Sequence, residues 1–234
     1  MHRVSDDALL CFVYVDDDIA VVDKPNGLLS CPGRDPALSD SVQTRVPRAI
    51  PEATGPILAH RLDQPTSGLL VVGLHADAHR ALRLQFEART VEKAYDAVVV
   101  GDVVGDQGTI TLPFRLDVER RPFQIYDEVY GKVGVTDWRV VGRAVVDGAA
   151  RTRVTLVPHT GRTHQLRVHC AHERGLGCAI AGDALYGDPR AAPRLLLHAT
   201  TLSLSHPRTG ARLTFTSAAP FDIAGVLSAG APSR

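Results

Sequence analysis

The apolar residues of this 234-residue chain fall mostly into short runs of strand length, and turn residues separate these runs. The clearest case is Asp147-Gly148, which lies between Val135–Val146 and Arg151–Val157, because Asp-Gly favours a two-residue hairpin turn. Leu69–Leu74 is a continuous apolar run that is also typical of a strand. The pattern therefore predicts a fold that consists largely of antiparallel strands.

Further strands are expected near both ends of the chain and in its middle. They are Phe12–Val15, Ile19–Asp23, Tyr95–Val100, Leu195–Leu204 and Arg212–Thr216. Three segments have features of helices, and these are Ser41–Ile50, which Pro47 is expected to bend or end, Asp77–Arg89, and Thr163–Arg174, which Gly175 is placed to cap. Since the helices do not alternate regularly with the strands, we predict an α+β fold with a mixed, mainly antiparallel central sheet and flanking helices and loops.

No internal repeat or linker divides the chain, so residues 1–223 are predicted to form a single domain, with residues 224–234 as a flexible tail. Four cysteines without a CxxC pair indicate reduced thiols and a cytoplasmic location. No apolar run approaches the ~20 residues of a membrane span, and Asp6 and Asp7 stand where a secretory signal would carry cations. We therefore expect no association with a membrane.

The charges of the chain balance, with 26 Lys and Arg against 26 Asp and Glu, and this balance alone argues against a nucleic-acid partner. The distribution is uneven, however. Residues 1–40 hold eight Asp against three cations, whereas residues 139–174 hold seven Arg against two acidic residues. Two interpretations stay open: a basic face in which Arg grips phosphates, or a genome rich in G and C whose codons favour Arg.

Two polar segments far apart in the chain carry the candidate chemistry. Residues 60–70 read HRLDQPTSGLL, a polar loop with the carboxylate of Asp63 that leads into an apolar strand. Residues 158–169 read PHTGRTHQLRVH, where a tight glycine turn brings Arg162 to the start of a helix. Asp63 could simply bond to the nearby backbone in a turn, but an arginine beside it would hold it ionised for catalysis.

These two segments resemble the signature motifs of the RluA-type RNA pseudouridine synthases. The resemblance covers nearly the whole chain in the family's order, and it includes Asp23–Leu28, Phe86–Tyr95, Gly182–Gly187, Leu196–Ala199 and His206-Pro207. Many relatives carry an S4-like RNA-binding domain ahead of the catalytic domain, which we expect to be missing here because the Lys-Pro-Asn-Gly motif already begins at Lys24. Residues 28–34 and 41–45 further resemble the short, dual-specificity members that act on rRNA and tRNA.

The resemblance implies the pseudouridine synthase fold over residues 1–223. It also implies an enzyme that isomerises uridines in structured RNA, either large-subunit rRNA or the tRNA anticodon stem-loop or both. The reaction would use base flipping and an aspartate, with no cofactor and no metal. We expect RNA as the partner and a monomer as the active form.

The resemblance also assigns roles to six residues of this sequence. Asp63 is the catalytic carboxylate, which bonds covalently or acts as a base near the sugar, and Arg162 pairs with it. Tyr95 stacks on the target base, and Arg61 fills the gap that the extruded uridine leaves. RNA contacts are implied for Lys24 and Arg167.

Alternatives come from other functional classes. A non-catalytic RNA-binding protein with the same fold is the main one, and the retention of Asp63, Tyr95 and Arg162 together argues against it. A glycoside-cleaving hydrolase would need a second carboxylate in a comparable motif. A zinc site is not expected, because the spacing of its candidate ligands fits no common structural site; these ligands are His164, His169, Cys170, His172 and Cys178.

The sequence departs from the family's pattern in three places. Gln64-Pro65 stands where relatives usually carry a charged residue or another residue that is not proline. Residues 144–150 and 170–180 look longer than usual for the family, and both segments are predicted to be surface insertions.

Overall fold

The computed structural model describes residues 10–55 and 57–225. The described residues divide into two compact units, each drawn from two separate stretches of the chain. Unit 1 comprises residues up to 93 together with 199–217, and unit 2 comprises residues 94–198 and those from 218 onwards. The single-domain prediction for residues 1–223 stays a prediction. Most of the predicted tail, residues 226–234, lies outside the described residues.

Ten strands and three α-helices are assigned within the described residues. The strands are β1 (Cys11–Val15), β2 (Ile19–Lys24), β3 (Ser67–Gly73), β4 (Glu92–Val100), β5 (Gln107–Leu116), β6 (Gln124–Tyr126), β7 (Lys132–Val146), β8 (Ala149–Pro158), β9 (Leu197–Ser205) and β10 (Arg212–Thr216). The helices are α1 (Val42–Ala49), α2 (Ala76–Glu87) and α3 (Gln165–Ala171). No helix among these is long and apolar enough to cross a membrane.

Unit 1 contains a sheet in which β1, β2, β3, β9 and β10 follow one another. The pairs β1–β2, β2–β3 and β9–β10 are antiparallel. Apolar residues of β2, β3 and β9 form the core with Leu82 of α2 and with Val91. Every residue of β3 is buried, which agrees with the continuous apolar run in the sequence.

Unit 2 contains a sheet in the order β4-β8-β7-β5-β6, and each neighbouring pair is antiparallel. Asp147 and Gly148 form the turn between β7 and β8, with φ values of 50° and 78°. Positive φ at both central residues is the geometry for which Asp-Gly is favoured, so the predicted hairpin is confirmed. Val168 of α3 packs against Ile110, Leu112 and Phe114 of β5.

The α+β fold with a mainly antiparallel sheet is confirmed, and the structure corrects several details. Strands β5 and β6 were not predicted. Helix α1 runs through Pro47 to Ala49, so the proline does not end it. Helix α3 is shorter than the predicted Thr163–Arg174, because His164 adopts a left-handed conformation before the helix begins and His172 is extended where it ends.

Segment 170–180 is only partly a surface insertion. Glu173 and Arg174 are exposed, but Cys170, Cys178 and Ile180 are buried. Gly175 lies against the backbone of α3, where a Cβ atom would stand 1.9 Å from the carbonyl oxygen of His169. The segment is therefore folded back onto unit 2 by its apolar residues.

Gly68 joins the polar loop of residues 60–66 to β3, and only glycine fits its position. Its φ is +108°, and a Cβ atom would lie 2.4 Å from the carbonyl oxygen and 2.6 Å from the nitrogen of Ala199. Neither backbone atom can move without breaking the strand packing, since β3 and β9 are neighbours in unit 1. The glycine after Thr66-Ser67 is thus required by a close approach between two strands.

We predict that Gly68→Ala lowers the free energy of unfolding by about 2–5 kcal/mol, because it adds backbone strain to a steric clash. The matched control is Gly148→Ala, at a φ of +78° with no atom within 4 Å of the added Cβ. This control should cost only about 1–2 kcal/mol. Urea denaturation measures both variants, and equal losses would contradict the steric explanation.

A buried histidine makes the stability of unit 2 depend on pH. The ring of His169 is 0% exposed, and neither of its nitrogens has a hydrogen-bond partner among the described residues. The edge of the ring meets Phe114, with centroids 5.7 Å apart. Burial, with a smaller contribution from the charge of His172, lowers the pKa of His169 to about 4. The folded state therefore holds this histidine neutral at neutral pH.

We predict that the free energy of unfolding decreases as the pH falls from about 6.5 to about 4. In this range His169 is protonated in the unfolded chain but stays neutral in the folded chain. The loss from this group amounts to about 3 kcal/mol at most. His169→Leu should remove that part of the pH dependence. Urea denaturation at pH 7.5 and pH 5 tests this, and the same pH dependence in both proteins would contradict it.

Candidate active site

The loop that carries Asp63 is anchored to unit 1 by the residue before the carboxylate. Leu62 is buried, and its backbone makes two hydrogen bonds with the side chain of Ser30. The Oγ of Ser30 donates to the Leu62 carbonyl at 2.8 Å and accepts the Leu62 N–H at 3.1 Å. The N–H of Thr66 then donates to the Asp63 carbonyl at 3.0 Å, which closes a turn. The side chain of Asp63 is thereby held half-buried at the tip of a fixed loop.

Lys24 stabilises the same loop through hydrogen bonds from its buried ammonium group. Its side chain is 0% exposed, and Nζ donates to the carbonyl oxygens of Pro25, Leu28 and Gln64 at 3.0, 2.7 and 3.0 Å. A buried ammonium needs such acceptors, since burying it without them is very costly. The position of Lys24 argues against the predicted RNA contact and favours a role in holding the loop.

Gln64 and Pro65, which depart from the family's pattern, connect the loop to the Lys-Pro-Asn-Gly turn by hydrogen bonds. Gly27 donates its N–H to the Gln64 carbonyl at 3.0 Å, and Gln64 Nε2 donates to the Gly27 carbonyl at 3.1 Å. The side chain of Asn26 also donates to the Pro65 carbonyl. Gly27 has a φ of +86°, which explains the glycine at this turn. Segments 23–28 and 60–70 therefore meet in unit 1 through one backbone–backbone bond and two bonds from side-chain amides.

His60 and Arg61 lie side by side in the loop but have opposite environments. His60 stacks on Phe86 with centroids 4.3 Å apart, and its Nε2 accepts the N–H of Val71 at 3.1 Å. Burial, assisted by the charge of Lys93, lowers the pKa of His60 to about 3, so the ring is neutral and structural. Arg61 is exposed, and its Nη1 lies 3.9 Å from the sulfur of Cys31. Of these two, only Arg61 is placed to meet a ligand from solvent.

In unit 2, Arg162 lies in an exposed turn just before α3. The turn is closed by the N–H of Gln165, which donates to the Arg162 carbonyl at 3.1 Å. His164 has a φ of +56°, a conformation that is uncommon for a residue other than glycine. Strained backbone of this kind is often found at functional sites.

Tyr95 and Arg167 are both largely buried in unit 2. Tyr95 is 9% exposed and lies on β4 opposite Leu156 of β8. Arg167 is 3% exposed, and its Nε and Nη2 groups donate to the two carboxylate oxygens of Asp183 at 2.8 and 2.6 Å. Its guanidinium also lies 5.3 Å from the ring centroid of Tyr186. This placement argues against the predicted RNA contact of Arg167 and assigns it a structural role.

Asp183 completes this buried pair. Burial alone would raise the pKa of its carboxyl, but the bonds and charge of Arg167 hold the pKa below its usual range. The N–H groups of Leu185 and Tyr186 donate to the same carboxylate and act in the same direction. The pair fixes the segment 183–186 against α3.

Sequence reasoning gave no role to Ser30, Gln165 or Tyr186, although all three support the candidate loops. Tyr186 receives the N–H of Gln124 at 2.8 Å and bonds to His164 Nδ1 at 2.8 Å. Gln165 and Tyr186 lie within segments that resemble the family, which was the available signal. Ser30 likewise lies within residues 28–34, which resemble the short members of the family.

The described residues contain one group with the geometry of metal ligands, and it is separate from the predicted site residues. It consists of Asp16, Asp18 and His206 in unit 1. These side chains already bond to one another and to neighbours: Tyr14 donates to Asp16 at 2.7 Å and Arg208 pairs with Asp18 at 2.7 Å. The Asp16 carboxylate raises the pKa of Tyr14 to about 12. The group is a satisfied network of hydrogen bonds and ion pairs.

The fold and the Asp63 loop define a class of protein: an α+β chain with a largely antiparallel sheet that presents one carboxylate on a rigid loop. Comparison with known proteins makes this class specific. Residues 18–172 match the family described as RNA pseudouridylate synthase. The chain therefore belongs to the RNA pseudouridylate synthase family, whose members are isomerases.

Individual relatives agree with this family over nearly the whole chain. The dual-specificity RNA pseudouridine synthases RluA of Haemophilus influenzae and Escherichia coli are 42% and 45% identical, over 91% of this chain and 94% of each relative. Among solved structures, human RNA pseudouridylate synthase domain containing 1 matches with a TM-score of 0.75 and 30% identity, covering 93% of this chain and 86% of that one. A second human protein, RNA pseudouridylate synthase domain containing 4, matches with a TM-score of 0.70 and 25% identity, covering 90% of this chain and 88% of that one.

The buried position of Lys24 gives a prediction that separates a structural role from RNA contact. Lys24→Met should lower the free energy of unfolding by about 3 kcal/mol or more, because three carbonyl groups lose a charged donor. The slope of log affinity for RNA against log salt should stay unchanged. A phosphate contact would instead reduce that slope by about one unit. Filter binding at several salt concentrations, with exposed Arg61→Met as the comparison, measures the difference.

Proposed function

We propose that this chain isomerises specific uridines to pseudouridine in large-subunit rRNA, in the tRNA anticodon stem-loop, or in both. The observation that carries the proposal is the identity of 42–45% to two dual-specificity synthases over 91% of this chain. Alignment across 94% of each relative leaves little of either protein unmatched. The structured RNA is the partner, and the enzyme works as a cytoplasmic monomer without a cofactor or a metal.

Asp63 is the catalytic carboxylate in this proposal. The reaction breaks the N-glycosidic bond of uridine, turns the uracil and rejoins it to the sugar through carbon. A carboxylate can assist by bonding covalently or by removing a proton near the sugar. The half-buried position of Asp63 on a loop pinned by Ser30 and Lys24 supports this role, since a reacting group must be held precisely.

Three further residues complete the proposed chemistry. Arg162 is the arginine that acts with the catalytic carboxylate, as the family motif around residues 158–169 implies. Tyr95 supplies an aromatic face for the extruded base. Arg61 takes the place of that base in the RNA, and its exposure at the outer side of the Asp63 loop supports this role.

The alternative is a non-catalytic RNA-binding protein that keeps the fold. It would have no need of a carboxylate with such elaborate support. An assay on transcripts labelled with tritium at C5 of uracil separates the possibilities. Joining C5 to the sugar releases the tritium to water, simple binding releases none, and a hydrolase would release free uracil. Transcripts of tRNA and of rRNA hairpins, tested in parallel, show which RNA is used.

We predict that Asp63→Asn lowers the rate of tritium release by about a thousandfold or more, because the amide cannot act as a nucleophile or a base. Affinity for the RNA should change by less than about threefold, since the shape of the side chain is kept. The control is Asp77→Asn, the same change at an exposed position in the first turn of α2. Full activity in Asp63→Asn would refute the assignment.

A further inference from the structure

The buried side-chain amide of Gln165 forms hydrogen bonds both to the turn that contains Arg162 and to strand β7. The side chain is 4% exposed. Its Oε1 accepts from the hydroxyl of Thr160 at 2.7 Å and from the backbone N–H of Arg162 at 3.1 Å. Its Nε2 donates to the carbonyl of Val135 at 3.0 Å and to the hydroxyl of Thr136 at 2.9 Å. Because two donors bond to Oε1 and two acceptors bond to Nε2, the orientation of the amide is fixed.

These four bonds connect the turn to strand β7. Val135 and Thr136 belong to β7, and Thr160 and Arg162 belong to the turn that follows β8. The hydroxyl of Thr160 adds a fifth bond, because it accepts the N–H of Val135 at 2.9 Å. The side chains of Gln165 and Thr160 thus attach the turn to the sheet. No other role follows from the position of Gln165, since its buried amide does not face solvent.

We propose that Gln165 is a positioning residue for the isomerisation: it holds the backbone of Arg162 so that the guanidinium is ready for the reaction. This inference rests on the proposed role of Arg162 in the function above. Arg162 itself lies in an exposed turn, where a flexible backbone would spread its long side chain over many positions. The left-handed His164 leaves the start of α3 without a side-chain cap, and the Gln165 amide takes over the contact to the turn.

The decisive experiment is a double-mutant cycle on the full chain with tritium-labelled RNA. Gln165→Leu keeps the size of the side chain and removes its four hydrogen bonds. We expect kcat to fall between about ten- and hundredfold, as a displacement of about 1 Å can cause, while KM for RNA changes by less than about twofold. In an Arg162→Ala background, Gln165→Leu should cause no further fall, since the group that it positions is gone.

Two controls keep a structural effect apart from a positioning effect. Gln85→Leu removes a comparable amide in unit 1, which bonds to the N–H and carbonyl of Ser205 at 2.8 and 2.7 Å. It should lower stability and leave kcat unchanged. If Gln165→Leu does not fold, Thr160→Val and Thr160→Ser carry the same test. Thr160→Val should lower kcat, and Thr160→Ser, which keeps the hydroxyl, should restore it.

The outcomes separate this inference from the function on which it rests. If the losses of kcat in the two single variants multiply in the double variant, the positioning role of Gln165 is wrong. A folded Gln165→Leu with wild-type kcat would show the same. Neither result would change the proposed role of Arg162. Equal kcat in Thr160→Val and Thr160→Ser would also count against it. Wild-type activity in Arg162→Ala would instead overturn the proposed role of Arg162, and the positioning role with it.

Discussion

The ammonium of Lys24 is the contact on which the geometry of the Asp63 loop depends. The ammonium is fully buried and bonds to carbonyl groups of two polar segments, 24–28 and 60–66. An unpaired buried carbonyl costs about 1–3 kcal/mol, and a buried unpaired ammonium costs far more. Each therefore stabilises the other, and a loop with few apolar contacts of its own becomes rigid.

Unit 2 uses the same principle with different groups. Its buried cation, Arg167, is compensated by the Asp183 carboxylate rather than by backbone carbonyls. Its exposed turn carries Arg162 and is attached by the amide of Gln165. In both units a loop carries a residue of the proposed site, and a buried polar side chain anchors the backbone of that loop. Breaking such an anchor leaves its partners unsatisfied, so these positions tolerate little change.

The sequence was most informative where local patterns determine structure. The Asp147-Gly148 hairpin and the apolar strand Leu69–Leu74 follow from turn chemistry and hydrophobic spacing, and the structure contains both. Strands β5 and β6 escaped prediction because β6 has only three residues and β5 contains Gly108 and Pro113, which are both unfavourable in strands. Resemblance to a family pointed to Asp63 and Arg162 as candidates, but it could not separate exposed cations from buried ones. That distinction depends on which carbonyls and carboxylates the fold brings to Lys24 and Arg167.

The arginine-rich stretch 139–174 shows the same limit for charge. Most of its seven arginines are engaged within unit 2: Arg143 pairs with Asp102 and Asp106, Arg153 pairs with Asp96, and Arg167 pairs with Asp183. Arg151 donates to the carbonyls of Ala191 and Ala224, and Arg174 stacks on Tyr126. Carboxylates therefore compensate three of the seven charges, those of Arg143, Arg153 and Arg167, and these three are less available to neutralise phosphates. A formal net charge of zero also limits the electrostatic attraction to phosphates, and shape is the feature by which proteins commonly recognise structured RNA.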